Sequence, residues 1–168
     1  AARSFCLDAA ALTSVTGSAY DEVHEKIVHA MLDRMSNDSA RAVTLAASAR
    51  QAAESQALVS FSCLAAAVEA AARVDIGEVH TGILLATTAL GSIAAIQGSE
   101  FGLEICVICW DTLRRAGSPQ AIEAKRVTLA RIAQIVSHIR DPRLKSLFFN
   151  RSVVRLVLDE AKPQTSVS

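Results

Sequence analysis

The chain has 168 residues, with 17 Lys+Arg against 17 Asp+Glu and a formal net charge of zero. It is 51% hydrophobic and 20% charged, with 31 alanines but only seven Gly, three Pro and few aromatics. Such a composition excludes disorder and collagen-like repeats, and its lack of β-branched runs and turn punctuation excludes a β-sandwich or barrel. The expected organisation is one all-α domain over residues 1–162 with a flexible polar tail at 163–168.

Neither Gly nor Pro occurs between Gly17 and Gly77, so helix is almost unopposed there. Ser18 reads as an N-cap with Asp21 at the capping-box position. The spacing of Val23, Ile27, Met31 and Met35 then predicts a helix over 19–35. Asn37-Asp38-Ser39 supplies a stop and a new N-cap. The long apolar run that follows splits near Glu54–Gln56 into helices over 39–53 and 56–73. After a turn at Val74–Gly77, a strongly apolar helix runs to Gln97. Its segment Gly82–Ile96 holds 15 uncharged residues, short of the ~20 that span a bilayer, and so reads as a buried core helix.

Gly98-Ser99 breaks that helix. Leu103, Cys106, Val107, Trp110 and Leu113 keep helical spacing as far as Ala116. Gly117-Ser118-Pro119 closes this element and opens the next, with Pro near the first helical position. That helix carries Ile122, Leu129, Ile132, Ala133, Val136 and Ile139. Asp141-Pro142 repeats the device before a last helix bearing Leu144, Phe148, Val153, Leu156 and Leu158. The total is seven helices, or eight if the first dozen residues also coil. Short connections make sequential neighbours antiparallel, giving a string of helical hairpins.

Thr88-Ala89-Leu90-Gly91-Ser92 followed by Gln97-Gly98-Ser99 resembles the first helix and turn of a tetratricopeptide repeat (TPR), which places Leu-Gly in helix A and Gly at the turn. Gly102, Cys106 and Cys109 resemble the small helix-B residues when the unit is one residue longer. A poorer copy begins at Leu129-Ala130, 39 residues after Leu90-Gly91. The resemblance covers about 77–161 and is similar to the degenerate helical arrays of bacterial regulators. It implies a TPR-like α-solenoid whose concave face binds a peptide or protein without catalysis. A compact helical bundle is the alternative architecture.

The cysteines, Cys6, Cys63, Cys106 and Cys109, are too few for a disulfide framework in a chain of this length. Cys106-Val-Ile-Cys109 matches CxxC, but lies mid-helix with apolar spacers and no second pair, so core packing is expected. Asp21, Glu25, His29 and Asp33 recur every four residues, and Asp21 precedes His24 by three. A carboxylate-bridged metal site needs a second such acid–His pair, which the sequence lacks, so this stripe reads as a solvated face. His80 and His138 are isolated. No phosphate loop, GxSxG or paired-acid motif is present, and neither an enzyme nor a cofactor is expected.

Charge is unevenly placed. Residues 1–110 hold 6 basic and 12 acidic residues, and residues 111–168 hold 11 and 5. The candidate partner-binding residues are Arg114, Arg115, Lys125, Arg126, Arg140, Arg143, Lys145 and Arg151. An acidic protein or peptide docking on this basic end, or self-association through opposite-charge ends, are the partners such asymmetry suggests. A nucleic-acid surface is the weaker alternative, with Arg143, Lys145 and Arg151 on a recognition helix. Against it, Phe148 and Phe149 read as core, and Arg155 and Asp159 as an ordinary helix pair. The runner-up to the protein-interaction reading is a ligand-sensing bundle of a transcriptional or signalling regulator, whose Gly82–Ile96 helix lines a pocket.

No basic stretch leading into an apolar one opens the chain, so a cytoplasmic location without membrane association is expected. The Ala-Ala-Arg start suggests a fragment of a larger protein, and 13 Arg to 4 Lys suggests a GC-rich bacterial source. The leading expectation is a non-catalytic protein-interaction or regulatory domain of a bacterial signalling protein.

Overall fold

Residues 18–96 and 98–160 are described in the computed structural model. The proposed coil over the first dozen residues, Cys6 and the tail from 163 lie outside them. Among the described residues there are eight α-helices and no strand. They are α1 (Ala19–Met35), α2 (Ser39–Ser55), α3 (Val59–Asp75), α4 (Val79–Gly91), α5 (Gly102–Arg115), α6 (Ala121–His138), α7 (Pro142–Phe149) and α8 (Ser152–Asp159). The all-α class and the hairpin connectivity stand. Three predicted caps form as well: Ser18, Asp38 and Asp141 accept from the N–H groups of Asp21, Arg41 and Arg143.

The turns follow one design. Asn37, Ala57 and Gly77 stand 20 residues apart, each in the left-handed region at φ 61°, 56° and 86°. In each turn the next residue's N–H reaches back five positions to a helix carbonyl: Asp38 to Asp33, Leu58 to Ala53, Glu78 to Arg73, at 2.8–2.9 Å. This is the Schellman closure, and Gly117-Ser118 repeats it with Ser118 donating to Leu113. Helix surfaces repeat at the same interval. Ala46, Ala66, Ala86 and Cys106 are buried, as are Ala49, Glu69, Ala89 and Cys109. Two helices therefore make a 40-residue unit, longer than the 34 residues of a TPR.

Helix α3 is the hub. It touches α1, α2, α4 and α5, and every residue from Cys63 to Ala72 is buried. Small side chains make that possible: Ala65, Ala66, Ala67, Ala70, Ala71 and Ala72 let neighbouring helices approach closely. On α2 the matching stripe is Ala42, Ala46, Ala49 and Ala53. The one charge within the enclosed stretch of α3, Glu69, is 1% exposed. It accepts from Arg50 of α2 at 2.9 Å and Arg73 of α3 at 2.8 Å.

Several expected features are displaced. The break near Glu54–Gln56 falls later, because Ala57 supplies the left-handed residue, and α3 runs 59–75. The apolar helix stops at Gly91 and a 3-10 turn takes Ile93–Ile96. There the hydroxyls of Thr87, Thr88 and Ser92 donate back to carbonyls four residues earlier, competing with the helical ladder. That helix is also an outer one, with only Gly82, Ala86 and Ala89 of α4 buried and Leu84 exposed. The close-approach glycine is Gly82, where an added Cβ would lie 2.9 Å from the Ala70 carbonyl, whereas Gly91 has open space.

The last expected helix is broken at Asn150-Arg151 into α7 and α8. A straight helix would set Phe148 roughly 120° or more from Val154 on its surface, and the break lets Phe148, Val154 and Val157 all reach the core. Phe149 points outward instead. Met35 and Ile122, expected on buried stripes, are 82% and 81% exposed.

The repeated turns yield a paired test. Ala57→Gly is expected to raise stability by about 0.5–1 kcal/mol, and Gly77→Ala to lower it by about 1–2 kcal/mol. Both sites are exposed, and nothing lies within 4 Å of an added Cβ at Gly77. The backbone alone therefore sets the sign, which urea denaturation of the two variants checks.

Candidate interaction surfaces

Helices α1 and α5 flank α3 and are tied together at both ends. At the C-terminal ends, Asp75 of α3 pairs with Arg34 of α1 at 2.5 Å and with Arg115 of α5. Burial alone would push the Asp75 carboxyl up, but the two guanidiniums outweigh it and hold it below its ordinary value. At the N-terminal ends, Tyr20 of α1, Phe61 of α3 and Phe101 before α5 stack edge-on, with centroids 4.5 and 5.0 Å apart. The Tyr20 hydroxyl donates to Glu100 at 3.3 Å.

Between these ties lies a cleft of about 290 Å³. Ile27, Val28, Met31, Leu64 and Phe101 give it an apolar lining, and His24, Glu100 and Glu104 its polar groups. Glu104 Oε1 accepts from Arg151 at 2.8 Å. Its Oε2 is shut off from solvent and has no donor. A shielded carboxylate oxygen without a donor is costly unless something supplies one. Sequence reading missed this cleft because its residues are scattered over three helices. None of the Gly82–Ile96 residues lines it.

The eight candidate basic residues divide into two groups. Arg114 pairs with Asp111 at 2.6 Å and Glu160 at 3.0 Å. Arg115 pairs with Asp111 and Asp75, Arg126 with Glu123 at 2.6 Å, and Arg151 with Glu104. Lys125 donates to the Glu160 carbonyl at 3.1 Å. Both Arg114 and Lys125 also lie over the buried Trp110 ring, 5.7 and 5.8 Å from its centroid. These five charges are satisfied within the fold.

Arg140, Arg143 and Lys145 differ: their side chains make no ion pair among the described residues. Arg143 and Lys145 lie on α7 and Arg140 just before it, beside Leu144 and Leu147, which are 55% and 65% exposed. Apolar side chains standing among unpaired cations form a second surface on the molecule.

Cys63, Cys106 and Cys109 are free thiols buried between α3 and α5. Burial pushes Cys106 up to about 11 and Cys109 higher still, the opposite of an activated nucleophile. His80 and His138 are exposed, whereas those thiols are buried. The stripe on α1 is not a solvated face: Asp33 is 1% exposed and pairs with Arg41 of α2 at 3.1 Å. His29 is partly buried 3.8 Å from Glu25. No cluster of three or more metal-ligating side chains occurs among the described residues. Nor is any described helix long and apolar enough to cross a membrane.

No protein-family model, curated protein or solved structure matches the chain.

Because the Asp75 carboxyl is held low, its contribution is complete above its unfolded pKa and disappears as pH falls through the depressed folded value. Asp75→Asn is therefore expected to cost about 1–2 kcal/mol at pH 7, a modest figure because the site is partly solvated. The gap to the parent should close as pH falls below about 4. Urea titrations of both proteins between pH 7 and pH 2 read this, and a gap that stays constant contradicts it.

Proposed function

We propose that the chain is a non-catalytic protein-interaction domain of the helical-repeat kind, acting in a reducing, cytoplasmic setting as part of a regulatory or signalling protein. The observation that carries this reading is the α7 surface, where Arg140, Arg143 and Lys145 stand unpaired around exposed Leu144 and Leu147. The other five candidate cations have found acidic partners or carbonyls inside the fold, so these three are the charges left for an external ligand. The outward leucines favour an acidic, amphipathic protein segment over nucleic acid, whose phosphates offer leucine nothing. Repeat character is supported by the 20-residue recurrence of turns and buried small residues rather than by Leu90-Gly91. The reducing setting is supported by three buried free thiols.

A fluorescein-labelled twelve-residue peptide of Glu, Leu and Ala is the probe, read by fluorescence anisotropy. It is expected to bind, with affinity falling as salt rises. The triple variant Arg140→Glu, Arg143→Glu, Lys145→Glu should weaken binding at least tenfold. Arg126→Glu, which alters a charge already held by Glu123, should leave it nearly unchanged. Absence of binding, or equal loss in both variants, would falsify the reading.

A further inference from the structure

Two surfaces that the fold leaves unsatisfied are complementary to each other. The α1–α5 cleft offers an apolar lining of Ile27, Met31, Leu64 and Phe101 beside the carboxylates of Glu100 and Glu104. The Oε2 of Glu104 has no donor. The α7 surface offers exposed Leu144 and Leu147 beside the donors of Arg140, Arg143 and Lys145. What one surface lacks, the other carries: aliphatic side chains for the cleft, and cations for its carboxylates.

Within one copy the surfaces are neighbours. Arg151, in the break between α7 and α8, already reaches the Oε1 of Glu104. It is anchored there, whereas Arg143 and Lys145 remain without an anion among the described residues. Neighbouring complementary patches suit a two-fold pair, in which each copy's α7 enters the other's cleft and the contact is made twice. The cleft size agrees with this occupant. At about 290 Å³ it lies just under the range of small-molecule pockets, matching a few side chains presented by a helix better than a separate ligand.

We infer that the protein self-associates, the α7 surface of one copy (Arg143, Leu144, Leu147) occupying the α1–α5 cleft of a second copy, with its cations facing the Glu100 and Glu104 side of that cleft. This rests on the reading of α7 as a docking surface and names its occupant.

Sedimentation equilibrium of the full chain, at tens of micromolar and low salt, tests it. The mass is expected to approach twice the 17.8 kDa of the chain and to return to one copy in high salt. Two variants separate the surfaces: the Arg140→Glu, Arg143→Glu, Lys145→Glu triple, and the double Glu100→Gln, Glu104→Gln. Each alone should dissociate at least tenfold more readily, with an unchanged helical circular-dichroism spectrum. Mixed together they should re-form a hetero-pair, because one keeps an intact cleft and the other an intact α7. Recovery on mixing also shows that neither variant has merely misfolded.

A parent chain that stays a single copy overturns the inference, as does a parent that pairs while the mixture does not. If the parent stays single but the Glu/Leu/Ala peptide still binds at α7, self-association falls and the docking reading stands. If neither occurs, both fall.

Discussion

The first five helices of this fold are arranged around one, α3, whose middle has no free side. Helix α3 is in contact with four other helices, so along Cys63–Ala72 its surface must be small, apolar or paired. Alanine meets that demand by allowing close approach, and a single carboxylate breaks the pattern. Glu69 is enclosed, and stripping water from an unpaired carboxylate there would cost several kcal/mol. Two arginines remove that problem. Arg50 comes from α2 and continues to Glu54 at 3.1 Å, and Arg73 comes from α3 itself and continues to Glu78 at the start of α4. One buried charge thereby orients three consecutive helices. Removing either arginine would leave an enclosed carboxylate short of a partner.

From that hub the surfaces follow. With α2 and α4 packed on α3, helices α1 and α5 cover its remaining flanks, clamped by Asp75 at one end and by stacked aromatic rings at the other. The clamps hold α1 and α5 apart over Leu64, and the cleft is the space between them. Similar logic produces the second surface. Phe148, Val154 and Val157 must all reach the core, the chain breaks to let them, and the short α7 is turned so that its leucines face outward. Neither surface is a packing error at one residue; each is what remains after a stronger demand nearby has been met.

Much of the fold was legible in the residues, for definite reasons. Ser18, Asp38 and Asp141-Pro142 announce helix starts through side-chain chemistry that acts over three residues or fewer, and all three act as expected. Ala57 gave no such signal, because a left-handed alanine is dictated by the six-residue turn closure rather than by its own preference. The 20-residue recurrence was present in the sequence at Ala46, Ala66 and Ala86, but a search at the 34-residue TPR interval passes over it. Burial could not be ranked from hydropathy alone. The more apolar Gly82–Ile96 segment is peripheral, while the alanine-rich α3 is central, because enclosure selects small side chains as much as greasy ones.

The candidate site was half legible for an electrostatic reason. An excess of basic residues after Asp111 is visible by counting. Which of them are spent depends on pairs 40 residues apart, Asp75 with Arg115, and 47 apart, Glu104 with Arg151. The cleft, drawn from α1, α3 and the start of α5, had no local signature at all.

The central claim is that α3 is the element on which the other helices depend, and native-state hydrogen exchange tests it most directly. Amides of Leu64–Ala72 should exchange only by global unfolding, with opening free energies equal to the stability measured by urea, while those of α7 open far more readily. If the α3 amides exchange through a local opening well below the global free energy, or if another helix outlasts them, the hub is elsewhere and the account is wrong.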